Sequence, residues 1–232
     1  MMFTKRTTEH PVTGTPEKDQ IIDLDLDYFN YANRFGGSPD GGPMAEIDKW
    51  LKTFNRSIPY HFFIEHQHVL EIMAAKDAPA RFGGPVHWFN IDHHFDWCGP
   101  SKVPMSQVTC GNYCGAVPDK VWKAFTHVTP RGDNGKPNRI IDAYQDLVKK
   151  AEKAKKPFNF TTDWTWQRDK VILIMVTISP DYLQLGRFTN AAVQMIADYF
   201  GVRDLPVMTE PIETRLSAWT IRTRDVVPRR AD

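Results

Sequence analysis

The sequence predicts a three-layer α/β/α fold with a mainly parallel central sheet, and two observations support it. Within about the first hundred residues, strand-like and helix-like patterns alternate, which is typical of parallel strands joined by crossover helices. Residues 171–176 (VILIMV) then form a continuous apolar run, as expected of a central strand covered on both faces. The 232 residues can bury a substantial core, and we expect one domain over residues 1–232.

In the first half of the chain, apolar spacing and turn residues set the expected elements. Pro43 opens a helix whose apolar residues recur at helical spacing, and Gly83-Gly84-Pro85 leads into a strand. The expected order is a strand at about 20–28, a glycine-rich loop at 30–43, a helix from Pro43, a strand at 59–64, a helix from Val69 to before Pro79, and a strand from Val86.

The second half is expected to add further helices around the strand at 171–176. A helix capped by Thr189 or Asn190 should end at Gly201. Trp164 and Trp166 form an exposed-looking cluster that could grip a peptide, although core packing is the commoner role of such aromatics. The remaining expected elements are a short helix at 119–126, an exposed loop at 130–138 and an amphipathic helix at 140–156.

Composition argues against several classes of partner. The chain has 29 basic and 28 acidic residues, so its charge gives no case for binding nucleic acid or an anionic membrane. No apolar run is long enough to span a bilayer, and the N-terminus lacks the apolar core of a signal peptide, so a cytoplasmic protein is expected. Three closely spaced cysteines favour reduced thiols over a disulfide scaffold, and their spacing fits no usual zinc pattern: Cys98, Cys110 and Cys114.

The stretch from Trp88 to Trp97 carries the strongest chemical signal. An apolar strand ends in Asp92-x-His94-x-Asp96, and alternation in an extended chain places these three side chains on one face. Three such groups at the end of a core strand would cost several kcal/mol if left unpaired. A divalent cation would compensate them, whereas a surface loop rich in His and Asp is the alternative for an isolated pattern of this kind.

Two other predicted strands also end in metal-binding side chains. Asp25 and Asp27 lie on one face toward the end of the first strand, and Asp23 on the same face is expected to be a buried, hydrogen-bonded support. The second strand ends in Glu65 and His66, followed by His68. Three strands that end in oxygen and imidazole donors can form one site at the carboxyl edge of a parallel sheet, so the sequence favours a metal site there.

These motifs together resemble the ureohydrolase superfamily, which includes arginases, agmatinases and related deacetylases. The chain looks most like the OspR-like peptide arginases, which convert arginine residues of a ribosomal precursor peptide to ornithine. The Asp-x-His-x-Asp pattern of arginases is matched at residues 92–96, and an acidic residue before a ligand His is matched at 65–66. Their Asp-x-Asp strand is matched at 25–27, and their Ser-Gly-Asn-x-His-Gly segment resembles residues 110–115.

The resemblance implies an arginase-like fold and a manganese-dependent hydrolase with two Mn²⁺ ions as cofactors. Asp25 and Asp92 would bridge the ions, which would activate a water for attack on a guanidinium carbon. His66 with Asp96 would complete one ion, and Asp27 with His94 the other. The expected substrate is an arginine-containing peptide, which would yield ornithine and urea, and ureohydrolases commonly form homo-oligomers.

Two departures from the family leave roles open. The Asp-x-Asp strand is late in ordinary arginases but first here, which implies a permuted strand order. The family's proton-shuttle His falls on Cys114, so that role is lost, taken by the thiol, or moved to His68 or His93. Asn112 matches a substrate-binding Asn, and three glutamates are candidates to hold the guanidinium: Glu65, Glu210 and Glu213.

Other functions compatible with these residues differ in their substrate or in having none. A small-molecule ureohydrolase or amidohydrolase of the same fold would use the same metal chemistry. A single-zinc deacetylase is disfavoured by the Asp-rich ligand set. A peptide-binding protein stabilised by metal would have a structural site and no turnover.

Overall fold

The computed structural model describes residues 3–4, 18–29, 42–63, 65–97, 103–130, 157–179 and 187–201, in which seven strands form one sheet. The sheet order is β1-β3-β7-β2-β4-β5-β6. Only the edge strand β1 is antiparallel to its neighbour; the other six strands are parallel. The strands are β1 (Phe3–Thr4), β2 (Gln20–Asp25), β3 (Tyr60–Phe63), β4 (Val86–Ile91), β5 (Trp122–Val128), β6 (Phe158–Thr161) and β7 (Val171–Thr177).

Helices cover both faces of this sheet, which gives the expected three-layer α/β fold. The helices are α1 (Pro43–Leu51), α2 (Leu70–Met73), α3 (Ala78–Arg81) and α4 (Arg187–Phe200), with 3-10 turns at His66–Val69, Met105–Gln107 and Tyr113–Ala116. One apolar cluster joins the sheet to α1 and α4 through residues such as Trp50 and Ile196. A second joins the opposite face to α2, α3 and the turn at Tyr113, through residues such as Ile72 and Phe82.

The position of β2 explains how aspartates come to lie in the core. Ile22 and Leu24 point into the first apolar cluster and Ile21 into the second, so the residues between them alternate faces. Every residue of β2 is buried, because helices or turns cover both sides of the strand. Asp23 and Asp25 therefore lie in the layer that contains the turn at Tyr113.

The strand order places a topological switch point between β2 and β4. The connection after β2 leads along the strand order toward β3, on the far side of β7. The connection after β4 leads in the opposite direction, to β5. In open parallel sheets, ligands bind where adjacent strands diverge in this way. The edge between β2 and β4 is therefore the expected place for a site.

Most predicted elements of the first half are confirmed, and one in the second half is wrong. The expected strands near residues 20–28, 59–64, 86 and 171–176 are present, as is the helix from Pro43. The helix expected at 119–126 is instead the strand β5. Its aromatic and β-branched residues pair with β4 and β6, and this tertiary pairing outweighs any local helical preference.

One helix boundary also differs from the expectation. The helix α4 begins at Arg187, so Thr189 and Asn190 lie inside it and do not cap it, while its end before Gly201 is confirmed by the positive φ of 75° at that glycine. The helix expected from Val69 is present as α2, which begins at Leu70 and ends at Met73, before Pro79 as expected. A separate short helix, α3, contains Pro79 in its first turn, where a proline costs no helical hydrogen bond.

Several expectations fall outside the described residues: the loops at 30–41 and 131–138, the helix at 140–156, Cys98, and the C-terminal residues from 202 on, which include Glu210 and Glu213. Among the helices that the structure describes, none combines the length and the hydropathy needed to cross a membrane.

Trp166 has the core-packing role that is commoner for such aromatics, and Trp164 is half-buried next to it. Trp166 is only 8% exposed and stacks on Phe54 at 5.5 Å between ring centroids. Its indole N–H donates to Thr53 Oγ1 at 3.1 Å. Trp164 stacks beside it and packs against the first apolar cluster, so the pair helps close the core beneath α1.

We expect Trp166→Ala to lower the free energy of unfolding by about 3–5 kcal/mol, because it removes a buried indole and leaves a cavity. Urea unfolding would measure this loss. The exposed Met105 offers a control, since Met105→Ala should change stability by less than about 0.5 kcal/mol. A Trp166→Ala protein of unchanged stability would contradict the core assignment.

Candidate metal centre

Asp25 ends β2 in a turn that its own carboxylate stabilises. The backbone N–H of Asp27 donates to Asp25 Oδ1 at 3.0 Å, which is the short local bond typical of aspartate at turns. Ser179, just after β7, donates its hydroxyl to Asp25 Oδ2. Ser179 adopts a φ of 45°, a left-handed conformation that costs energy outside glycine, and this conformation accompanies its contact with the site.

The end of β4 repeats this construction. The backbone N–H of His94 donates to Asp92 Oδ1 at 2.8 Å, so the chain turns and both side chains stay near the edge of the sheet. The backbone carbonyl of Asp96 accepts the N–H of Cys114 at 3.2 Å, which attaches the loop to the turn at Tyr113.

His66 brings the third strand into the same place. It follows the extended Glu65 and begins a 3-10 turn with its ring 1% exposed. Its Nδ1 atom lies close to carboxylate oxygens from both aspartate-bearing loops: Asp96 Oδ2 at 2.7 Å, Asp92 Oδ2 at 3.2 Å and Asp25 Oδ2 at 3.3 Å.

A second group of donors lies beside the first and shares Asp92 with it. His94 Nδ1 lies 2.9 Å from Asp27 Oδ2 and 3.8 Å from Asp92 Oδ1. In each group, three donor atoms fall within 4.8 Å of one another: Asp25, His66 and Asp92 in the first, and Asp27, Asp92 and His94 in the second. The His94 side chain is 37% exposed, so the second group is the more open one.

The position of Asp23 fixes how His66 would bind a cation. The His66 Nε2 atom lies 3.1 Å from Asp23 Oδ1, a pure acceptor, so a ring that gives up one proton to a cation at Nδ1 keeps the other proton on Nε2. The Nδ1 lone pair then faces three carboxylates. His66 Nδ1, Asp27 Oδ2 and Asp92 Oδ2 are buried without a well-aligned hydrogen bond, as expected of atoms arranged for a cation.

The pKa values of these carboxyl groups show how unfavourable the site is without a positive charge. Burial, reinforced by Asp25 and by neighbouring carboxylates, raises the pKa of Asp92 and of Asp27 well above the usual range. Burial also raises the pKa of Asp96 to about 6. Burial alone would lower the pKa of His66, but the surrounding aspartates, Asp23 first, raise it well above its usual value.

The donors fit a divalent metal. Carboxylate oxygens with a minority of imidazoles suit hard or borderline ions such as Mn²⁺, and neither group contains a thiolate. All six residues expected from the sequence as ligands meet at this edge: Asp25, Asp27, His66, Asp92, His94 and Asp96. Asp23 is fully buried and hydrogen-bonded, as expected of a support.

Three residues expected as proton carriers or substrate ligands lie around this centre. His93 is buried, with its ring 4.8 Å from that of His94, and its backbone N–H points at Asp27 Oδ1 at 3.4 Å. Glu65 accepts a hydrogen bond from the side chain of Gln67. His68 is half-buried in the turn that His66 begins. Their catalytic roles stay predictions.

Cys114 and Asn112 lie in the loop that matches the arginase segment. Cys114 is completely buried, and burial raises the pKa of its thiol well above its usual value, so the thiol keeps its proton. The Asn112 amide closes its own loop: Oδ1 accepts the N–H of Thr109 at 2.7 Å, and Nδ2 donates to the carbonyl of Gln107 at 3.1 Å.

The sequence alone did not identify four residues that support the centre: Asn90, Tyr113, His127 and Ser179. Tyr113 Oη lies 2.8 Å from Asp23 Oδ2 and 2.9 Å from His66 Nε2. Asn90 alternates with Trp88 and Asp92 on one face of β4, which was a usable signal. His127 lies one residue beyond the helix expected at 119–126, and only the pairing of β5 with β4 brings it beside Asn90.

Comparisons with models of protein families, with curated proteins and with solved structures give no match for this chain.

His127 makes stability depend on pH. It is fully buried with Nδ1 2.6 Å from Asn90 Oδ1, and burial lowers its pKa to about 3. In the unfolded chain this imidazole has a pKa of about 6.5 and takes up a proton that the folded protein excludes, so acidification favours unfolding. The stabilising contribution is complete above about pH 6.5 and is lost as the pH falls toward 3.

We therefore expect wild type to lose about 2 kcal/mol more of its unfolding free energy than His127→Asn between about pH 7.5 and about pH 5. Asn keeps an N–H donor for Asn90 but does not titrate. The raised pKa of Asp96, about 6, makes acidification favour folding, but it does so in both proteins. Its effect therefore cancels when the two unfolding free energies are compared. Urea unfolding at several pH values would measure this difference. If the unfolding free energies of wild type and His127→Asn fell in parallel with pH, His127 would not be buried as a neutral ring.

Metal should stabilise the folded protein. At a Mn²⁺ concentration about 100 times its Kd, we expect the free energy of unfolding to increase by about 2.7 kcal/mol. This corresponds to a rise in Tm of roughly 5–10 °C, which calorimetry would measure. Asp92→Asn should lose most of this rise because Asp92 belongs to both donor groups. Asp48→Asn, an exposed carboxylate on α1, should keep it. If Mn²⁺ raised the Tm of wild type, Asp92→Asn and Asp48→Asn equally, the metal would bind elsewhere.

Proposed function

We propose that this protein is a binuclear metal hydrolase that cleaves the guanidinium group of arginine residues in a peptide to give ornithine and urea. The observation that carries the proposal is the pair of donor groups that share Asp92 at one edge of the sheet. Each contains one imidazole and two carboxylates, an arrangement suited to two adjacent divalent ions. The resemblance of the 92–96, 65–66 and 25–27 segments to arginases supports manganese and this reaction.

The chain would hold the two ions through separate side chains and one common carboxylate. Asp25, His66 and Asp92, joined by Asp96, would bind one ion, and Asp27, Asp92 and His94 the other. When bound, such ions lower the pKa of a water enough for attack near neutral pH and stabilise the negative charge that develops.

The protein's own groups have two further tasks in this reaction. A guanidinium carbon is a poor electrophile, so carboxylates must hold the planar group by accepting its N–H bonds, for which Glu65 is a candidate. Water adds to this carbon, the bond to the side-chain nitrogen of arginine breaks, and that nitrogen needs a proton to leave as the amine. His93 and His68, which flank the candidate ligands His94 and His66 in the sequence, are the candidate imidazoles to supply it.

The loop around Asn112 supports an arginine within a peptide over free arginine. In ordinary arginases the matching Asn helps hold the carboxylate of the free amino acid. Here both ends of the Asn112 amide bond to its own loop, through the N–H of Thr109 and the carbonyl of Gln107. A peptide-embedded arginine has no free α-carboxylate and does not need this ligand.

The test is mass spectrometry of an arginine-containing peptide incubated with Mn²⁺-loaded protein. We expect the peptide to lose the elements of cyanamide while urea appears, because ornithine replaces arginine. Asp92→Asn should reduce the rate by at least about 100-fold, since it disrupts both donor groups, and Asp48→Asn should react like wild type.

Reaction of free arginine or agmatine alone would keep the metal chemistry and refute the peptide substrate. Metal binding without turnover of any guanidinium compound would refute the enzyme and favour a metal-stabilised peptide-binding protein.

A further inference from the structure

A buried chain of hydrogen bonds leads from β5 to the metal centre. His127 Nδ1 lies 2.6 Å from Asn90 Oδ1, and Asn90 Nδ2 lies 3.0 Å from Tyr113 Oη. Tyr113 Oη in turn lies 2.8 Å from Asp23 Oδ2, and Asp23 Oδ1 lies 3.1 Å from His66 Nε2. All five side chains are at most 1% exposed.

Donor and acceptor chemistry gives this chain a single direction. Asp23 can only accept, so the one hydroxyl proton of Tyr113 points to Asp23. Tyr113 Oη then accepts from Asn90 at 3.0 Å and from the protonated Nε2 of His66 at 2.9 Å. Asn90 therefore presents its NH₂ to Tyr113 and its carbonyl to His127. His127 must then carry its proton on Nδ1, and its buried Nε2 atom has no hydrogen-bond partner among the residues that the structure describes.

At the His66 end of this chain of hydrogen bonds, the orientation of Asp23 determines which nitrogen of His66 can bind a cation. Asp23 Oδ2 accepts from both Tyr113 and the indole of Trp88, at 2.8 and 3.2 Å. These two donors hold the carboxylate so that Oδ1 faces His66 Nε2, which keeps the ring proton there. The His66 Nδ1 lone pair is thereby directed at the place where three carboxylates converge.

We propose that Tyr113, Asn90 and His127 are positioning residues that orient Asp23 and so keep His66 in the form that binds metal through Nδ1. This inference rests on the metal centre of the proposed function but not on its substrate. His127, which lies one strand beyond β4, acts by fixing the orientation of the Asn90 amide. Without His127, the Asn90 amide can flip so that its oxygen faces Tyr113. The Tyr113 hydroxyl then donates to Asn90 and no longer to Asp23.

The test is the affinity of the full chain for Mn²⁺ itself, measured from the spectroscopic signal of the free ion. We expect Tyr113→Phe to weaken binding at the His66 site by about 10- to 100-fold, the usual effect of removing an outer partner of a ligand. Tyr60→Phe is the matched control. This variant also removes a buried phenol oxygen, which lies on the other face of the sheet and has no hydrogen-bond partner in the described part of the chain, so it should bind Mn²⁺ as wild type does.

A pair of variants at His127 tests the directional argument. His127→Asn keeps a donor toward Asn90 and should retain the wild-type affinity, whereas His127→Leu should weaken it about tenfold. Nitrogen NMR of the imidazoles with Zn²⁺ as a diamagnetic probe gives a readout that packing damage would not mimic. We expect the His66 ring to be protonated at Nε2 and metal-bound at Nδ1 in wild type and in His127→Asn.

The outcomes separate this inference from the proposed function. Equal Mn²⁺ affinity in wild type and Tyr113→Phe, or metal on His66 Nε2, would overturn the inference and leave the reaction standing. A wild-type protein that binds two Mn²⁺ ions with these affinity differences but hydrolyses no peptide would overturn the reaction and support the inference. No binding of Mn²⁺ or Zn²⁺ by wild type would overturn both.

Discussion

The carboxylates that converge on the Nδ1 atom of His66 are the constraint on which this edge of the protein depends. Asp25, Asp92 and Asp96 place oxygens within 2.7–3.3 Å of that one atom, in a region from which water is excluded. Each unpaired ion there would cost several kcal/mol. The protein can meet this cost with protons or with a metal ion, and His66 and the three aspartates are placed so that either would lie between them.

The sheet supplies the site with rigidity that loops alone would not give. Asp23 and Asp25 are part of β2, whose backbone pairs with β4 on one side and β7 on the other. Asn90 is part of β4, and His127 is its registered neighbour on β5. The residues that orient the metal ligands therefore belong to the most strongly paired part of the fold, while the ligands at 92–96 follow directly from it. A site supported by paired strands holds its geometry better than one supported by turns.

Much of this arrangement could be predicted from the sequence, because its signals are local. The alternation of apolar residues with Asp23, Asp25 and Asp27, and the spacing of Asp92, His94 and Asp96, follow from the period of a strand. The partners of those residues could not be found in the same way. Tyr113 reaches Asp23 across 90 positions of sequence, and the indole of Trp166 reaches Thr53 across 113. Such contacts depend on tertiary packing, as does the conversion of an apparent helix at 119–126 into β5.

The turns at Asp25 and Asp92 have a consequence for how this protein can change during evolution. In each, one carboxylate oxygen accepts a backbone N–H two residues on, and the other faces His66. A glutamate would preserve the charge, but its longer side chain cannot close the same turn. Replacement by the chemically nearest residue would thus alter the path of the chain and the ligand together. Sequence change can therefore proceed elsewhere in the chain while these two aspartates remain fixed, because their two tasks cannot be exchanged separately.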